Sequence, residues 1–525
     1  MATSAIMRRE IADDRLFTTG VIAGLAAAAA IVHTFTPLNH DVAYFVALAG
    51  RLLDGGSFGR EIMDMNPPHV WWISAVPVWI ARHVGLRIDA VAAVFTALMA
   101  ALSVIAVERL VNFERFARNV FLPLVACLVL FAPGYDFGQR EHWMLLLTLP
   151  YVVACACRLN GTQLPSASGA AIGTAACLGF CIKPYLLLVP VACEIWILAR
   201  TRRPSLLLRP ETTAMAVTGL VYAGLIVVYA RSYLEIEVPT ALLGYWTYKS
   251  PMLDVLITAI VLLAPTAMLL LIVHRSRRQN DRIPALAKVC AVAGAASLVA
   301  ALIQMKPWSY HFLPGIAFFA IAAVALLVAG RSCTDRRSLR RIAFAMIVTM
   351  AVVPTGFELA RAMAAVPTGF ELTRAFEADS GRVNQLAAVF RSNPGPNRTV
   401  FGFTTSLRDV FPAVIAAQVE WAAPFCCEYL IAAAVRADDA PAADRAKIKA
   451  AGLNQAEIAI AAVRIKQPGV IVVATGDDML GFNGRRFDYL EWLEAHTDFA
   501  RVLLQYREIS PIGPFRVFVR KQSPV

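Results

Sequence analysis

The sequence predicts a multi-pass α-helical membrane protein that carries a soluble α/β domain at its C-terminal end. Three observations predict it. The 525 residues are 58% hydrophobic and only 16% charged, with a mean hydropathy of +0.60, which is too apolar for a soluble enzyme of this length. Apolar runs able to cross a bilayer recur from residue 16 to residue 353, separated by short basic connectors. From residue 376 the chain changes to alternating helix-like and strand-like segments, so the domains are predicted as 1–375 and 376–525.

Residues 1–15 are short and charged, with Arg8, Arg9 and Arg15. The apolar run at 16–35 is long enough to span and stay, unlike a cleaved signal. The stretch 38–72 follows, with Asp41, Asp54, Glu61 and Asp64 close beside a span. Charge in that position is costly unless it has work to do or meets water. Val42, Phe45, Val46, Ala49, Leu52 and Leu53 have helical spacing, and Gly55-Gly56 stops the helix. Asn66-Pro67-Pro68 breaks the chain and starts an aromatic helix at His69.

Further spans are predicted at 89–107, 119–133, 142–157, 165–182, 184–199, 212–230, 252–273, 285–304, 311–330 and 341–353. The basic connectors at 108–118, 200–209, 274–282 and 331–341 belong in the cytoplasm with the N-terminus. If 69–84 also crossed, the connector at 108–118 would fall outside and the later three would need an extra crossing. As a juxtamembrane helix, 69–84 leaves all four inside. This predicts about eleven spans with the tail outside.

A tandem copy, VPTGFELAR then VPTGFELTR, occupies 353–374 and reads as a local duplication at the junction with the tail. In the tail, a turn is predicted at 393–397, strands at 399–403, 470–473, 502–509 and 515–520, and helices at 438–463 and 487–496. The net charge of +12 would suit nucleic acid, but the basic residues sit in short runs between spans, so that class is set aside. Most of the ten cysteines lie in apolar runs as small packing residues, and none has zinc-site spacing. Cys426 and Cys427 are adjacent, which disfavours an unstrained bridge between them.

The polar residues outside the membrane carry the chemistry. Asp41 begins a helix directly after the first span. It reads either as an N-cap or as a general base that takes the proton of an attacking hydroxyl. Glu141, with Asp136, is a second acidic site, and Gln139-Arg140-Glu141-His142 is a dense polar run at a span end, against the alternative of a solvated loop or an ion pair with Arg140. Lys183, Lys306 and His311 are cations at other outer span ends, where they either snorkel to head groups or hold an anionic phosphate. Tyr185, Trp246, Tyr248, Trp308 and Tyr310 read either as aromatic-belt residues or as surfaces for a sugar or a prenyl chain.

Asp41 after the first span, the helix behind it, and Asp64-Met65-Asn66-Pro67-Pro68 resemble the first outer loop of the GT-C glycosyltransferases, in the protein-mannosyltransferase and aminoarabinose-transferase branch. The resemblance implies a GT-C-like fold with juxtamembrane helices in that loop. It implies Asp41 as catalytic base, with Glu141 or Asp136 as the second acid. His40, Asp64, Arg140, His142, Lys183, Lys306, His311 and the five aromatics are the substrate-binding candidates, and residues 306–314 resemble a lysine-tyrosine-histidine signature of bacterial members. It further implies a polyprenyl-phosphate-linked sugar as donor, inverting transfer to a glycan, lipid or protein acceptor on the outer face, and a bacterial inner-membrane location with the tail periplasmic. His40-Asp41 stands where many members have two adjacent acids. No cofactor is therefore assigned, and a divalent cation stays open. A transporter or flippase is the alternative. It would place ionisable groups at mid-membrane between inverted repeats, neither of which is visible here. A third class, an assembly protein working through its tail, would retain partner binding in the tail alone.

Overall fold

The computed structural model describes residues 2–111, 113–276, 284–329, 372–476 and 479–521. Its first helices are α1 (Ala2–Thr34), α2 (His40–Leu53), α3 (Pro68–Val84), α4 (Ile88–Leu110), α5 (Arg115–Phe131), α6 (Arg140–Leu159), α7 (Ser166–Phe180), α8 (Leu188–Thr201), α9 (Pro210–Tyr229), α10 (Val238–Gly244), α11 (Met252–Ser276), α12 (Ala285–Ile303) and α13 (Ser309–Val328). Eight helical segments among the described residues are long and apolar enough to span, and Ala117–Phe131 and Ser166–Phe180 are shorter apolar helices. These match the predicted spans up to residue 330; the one at 341–353 lies outside the described residues. The protein is a multi-pass membrane protein, because these faces have no other solvent to meet: α9 is apolar and none of its residues past Glu211 is buried. α3 starts at Pro68, contains Pro77 and is 17 residues long.

The chain forms two compact units. The first comprises Met1–Thr36, Ala92–Gly224 and Ser250–Phe370. The second comprises Pro37–Val91, Leu225–Lys249 and Glu371–Val525.

In the first unit α12 packs along α13, α6 and α8, while α6 packs on α7 and α1 on α5. Without a hydrophobic drive between helices in lipid, close approach through small residues does this work. A Cβ at Gly173 of α7 would lie 2.0 Å from the backbone oxygen of Glu211 in α9, so only glycine admits that crossing. A buried ionic network ties the far ends of these helices. Arg158 Nη2 donates to Glu211 Oε1 at 2.8 Å, Arg209 Nη1 donates to Glu194 Oε2 at 2.7 Å, and Tyr151 OH donates to Glu194.

In the second unit the sheet runs β2-β1-β3-β5-β4. β1 (Thr399–Phe403) lies parallel to β2 (Glu420–Trp421) and to β3 (Val470–Ala474), and β5 (Phe515–Arg520) pairs antiparallel with β3 and β4 (Tyr506–Ile512). β1 and β3 are buried at every position, as central strands covered on both faces must be. Three tail elements differ from expectation. The segment 502–509 is split between a helix, Phe499–Leu503, and β4, because a short apolar run does not distinguish the two. The helix expected at 438–463 is Arg445–Lys466, preceded by a 3-10 turn at Ala437–Asp439 and Pro441. β2 has two residues and no readable periodicity. The tandem copy up to residue 371 lies outside the described residues.

The segments 37–91 and 225–249 of this unit are pinned to its α/β part. Arg51 of α2 donates to the backbone oxygens of Glu61 at 2.9 Å and Ala423 at 2.7 Å, and also to that of Trp421. Met63 N donates to Pro424 O at 2.8 Å, and Tyr248 OH to Thr405 O at 2.9 Å.

Candidate active site

The polar residues gather into one set in each unit. In the first unit the set is built on the N-terminal end of α6. Gln139 caps it, its side chain accepting from Arg140 N at 3.1 Å, so Glu141 stands in the first turn where the helix dipole favours a negative charge. Glu141 is 1% exposed, and its Oε1 accepts from Lys183 Nζ and lies 3.7 Å from His311 Nε2. Glu141 Oε2 is buried with no hydrogen-bond partner among the described residues. A buried carboxylate oxygen left that way is costly, and a substrate hydroxyl would satisfy it.

The chain brings cations to this carboxylate from three directions. Pro184 holds Lys183 extended, at φ −145 and ψ 131, ahead of a 3-10 turn at Pro184–Leu187. Lys183 Nζ lies 5.3 Å and Arg140 Cζ 5.8 Å from the ring centroid of Tyr310. Lys306 Nζ lies 4.6 Å from the Trp308 ring centroid, and the Trp308 and Tyr310 rings lie 5.4 and 4.6 Å from His311. Arg140, Lys183, Lys306 and His311 are all more than nine-tenths buried. Asp136, in a 3-10 turn at Gly134–Asp136, accepts from Ser309 Oγ at 2.9 Å and so joins α13 to the same set. His142 has both ring nitrogens engaged: Nδ1 accepts from Gly138 N at 3.0 Å and Nε2 donates to Val129 O at 2.8 Å. That fixes a neutral tautomer which holds the loop. Tyr185 is 46% exposed, unlike the buried residues of this set.

In the second unit the set surrounds the start of α2. The capping alternative for Asp41 is corrected: Asn39 is the N-cap, and its side chain accepts from Asp41 N at 2.9 Å. Asp41 is therefore a first-turn residue, 8% exposed, with Oδ1 3.9 Å from His40 Nε2. Asp64 accepts from Tyr44 OH at 3.0 Å on Oδ2, and from Asn66 N at 2.7 Å and Asn66 Nδ2 at 2.6 Å on Oδ1. These donors form the turn that leads into Pro67 and Pro68. Burial, and then the charge of Asp64, keep the Tyr44 phenol well above its usual range, so it stays a donor. Trp246 packs against Arg436, whose Cζ is 5.0 Å from its ring, and Tyr248 is buried against Thr405.

The sequence reading missed Glu237. It ends a π-helical turn, Tyr233–Glu237, a rare geometry that concentrates at functional sites. The turn is tied to the segment between α2 and α3, with Tyr233 OH donating to Met65 O at 3.2 Å. Glu237 is 3% exposed, its Oε1 has no hydrogen-bond partner among the described residues, and burial followed by the charge of Asp64 pushes its pKa up to about 8. The available signal was a carboxylate between Ile236 and Val238 in a connector otherwise read for its aromatics. Among the described residues, no three His, Cys, Asp or Glu side chains are grouped to hold a metal ion.

No family model matches the chain and no curated protein matches it. Solved structures do. The crystal structure of ArnT from Cupriavidus metallidurans in the apo state superposes at a TM-score of 0.57 with 14% identity, over 95% of this chain and 96% of that one. The arabinofuranosyltransferase AftD from Mycobacteria aligns at a TM-score of 0.42 and 13% identity, over 96% of this chain and 40% of that one. The chain thus shares the fold of ArnT, in line with the aminoarabinose-transferase resemblance of residues 38–72.

Proposed function

We propose that this protein is a membrane glycosyltransferase that moves one sugar, with inversion, from a polyprenyl-phosphate donor to a hydroxyl-bearing acceptor on the outer face of a bacterial inner membrane. The observation that carries the reading is the buried Glu141 bracketed by Lys183 and His311, beside Arg140 and Lys306, in a chain with the ArnT fold.

The chemistry has three demands. The acceptor hydroxyl must lose a proton as its oxygen bonds to the sugar carbon. The bond from that carbon to the phosphate oxygen must break on the opposite face. The lipid phosphate that leaves must be held as an anion. Asp41 takes the proton. Asp64 has both oxygens already accepting hydrogen bonds, and so orients rather than abstracts. Lys183, Arg140 and Lys306 stabilise the charge that develops on the phosphate, in a place from which water is largely excluded. The free oxygen of Glu141 accepts from a sugar or acceptor hydroxyl and fixes its orientation.

The test is direct. The purified full-length protein is incubated with a panel of polyprenyl-phosphate sugars, and release of polyprenyl phosphate together with glycosylated acceptor is followed by mass spectrometry. Turnover of at least one donor, abolished in Glu141→Gln, is expected. Donor binding without turnover across the panel, combined with passage of the intact donor across a bilayer, would establish a flippase instead.

A further inference from the structure

The second unit holds a pocket that the reaction does not use. Its volume is about 450 Å³, and its charged lining is Arg87, Asp89, Arg391 and Arg398, with Ile88, Ile415 and Gln418 among the rest. Arg87 and Asp89 neutralise each other through a two-pronged pair. Arg391 donates to Ala416 O at 3.1 Å and is otherwise exposed. Arg398 is exposed, and its backbone oxygen is taken by Glu420 N at 2.9 Å. Two arginines are thus left with no carboxylate in the lining to balance them.

One further observation points to a ligand. The pocket includes the first turn of α4, which starts at Ile88 and is apolar and long enough to span. An arginine pair with an apolar flank at the end of a membrane span meets phosphate on a hydrocarbon stem. Guanidinium presents a planar fork that matches phosphate oxygens two at a time.

We propose that this pocket binds the phosphoryl group of an anionic lipid headgroup beside the first turn of α4. Arg391 and Arg398 clamp the phosphate, Gln418 adds an amide donor, and Ile88 and Ile415 flank the glycerol end. The site is independent of the glycosyl-transfer reading and would persist in a protein with any other activity.

The experiment uses the full-length protein in neutral detergent, titrated with phosphatidylglycerol, with phosphatidylcholine and with inorganic phosphate, and read by native mass spectrometry and by thermal unfolding. The variant is Arg391→Gln/Arg398→Gln. The control is Arg501→Gln/Arg507→Gln, which removes the same charge from exposed positions outside the pocket. Wild type is expected to retain phosphatidylglycerol over phosphatidylcholine. The pocket variant is expected to lose affinity about tenfold or more, and the control to keep it. Equal losses in both variants would mean diffuse surface charge and overturn the site. Binding of inorganic phosphate with no gain from phosphatidylglycerol would overturn the lipid assignment.

Discussion

Helix α6 carries a buried ionic cluster at each end, and the two differ in how far their carboxylate oxygens are satisfied. At its far end Arg158 and Arg209 meet Glu211 and Glu194. Charges are matched there, and each carboxylate takes arginine hydrogen bonds. At its near end Arg140, Lys183 and Lys306 stand around Glu141 and Asp136, and one oxygen of Glu141 has no partner among the described residues. The clusters are about 27 Å apart along the helix, from the rise of about 1.5 Å per residue. A matched cluster holds helices together. A cluster whose central carboxylate keeps a buried oxygen with no partner among the described residues fits the proposed role of receiving a substrate hydroxyl.

The strongest way to sharpen this contrast lies in the other unit, at Asp41. Asp41→Asn keeps shape and hydrogen bonding but removes basicity, and capping does not confuse the result because Asn39 caps the helix. The transfer rate is expected to fall by about 10²–10⁴, with donor affinity and melting temperature unchanged. A nearly active variant would pass the role to Glu141 or Asp136.

Glu211→Ala should do the reverse. It leaves Arg158 buried without its main partner, and such losses cost about 3–5 kcal/mol. A lower melting temperature in detergent is expected, with turnover per folded molecule unchanged. If the variant instead stays fully stable but inactive, the far cluster belongs to the chemistry and the contrast is wrong.

Lys306→Met should weaken donor binding about tenfold to a hundredfold, the worth of one charge-assisted hydrogen bond of roughly 1.5–3 kcal/mol. Arg209→Met, its counterpart at the far end, should lower stability and leave affinity alone. Isothermal titration with a polyprenyl-phosphate sugar reads both. Unchanged affinity in Lys306→Met returns that lysine to packing on Trp308.

The smallest effect concerns Glu237. Its folded pKa of about 8 lies above the ordinary glutamate value of 4.5, so the folded state holds the proton more tightly than the unfolded chain. Stability from this group is full below about 4.5 and is lost as pH rises through about 8, at most about 1.4 kcal/mol per pH unit. Asp64, Tyr233 and Tyr429 are the titratable neighbours coupled to it. Glu237→Gln mimics the neutral acid and should flatten the decline of melting temperature over that window. An unchanged slope would assign the decline to other groups.

What was legible in the chain follows from which forces are local. Spans are set by runs of apolar residues against a hydrocarbon of known thickness, so the sequence by itself determined the membrane class and the helices from α1 to α13 that cross or are apolar enough to do so. The break at Asn66-Pro67-Pro68 and strands β1, β3 and β5 were readable for the same reason: proline geometry and buried β-branched runs act within a few residues. The clustering of Glu141, Lys183 and His311 was not readable, because it depends on α6, α13 and the 183–187 turn meeting across more than a hundred residues. Nor was the assignment of the cap to Asn39 rather than Asp41, a choice between neighbours made by backbone angles. Glu237 is the clearest case. Its shifted proton affinity comes from burial and from Asp64, over 170 positions away in the chain, and only the tertiary structure creates the low-dielectric surroundings in which those two carboxyl groups feel each other.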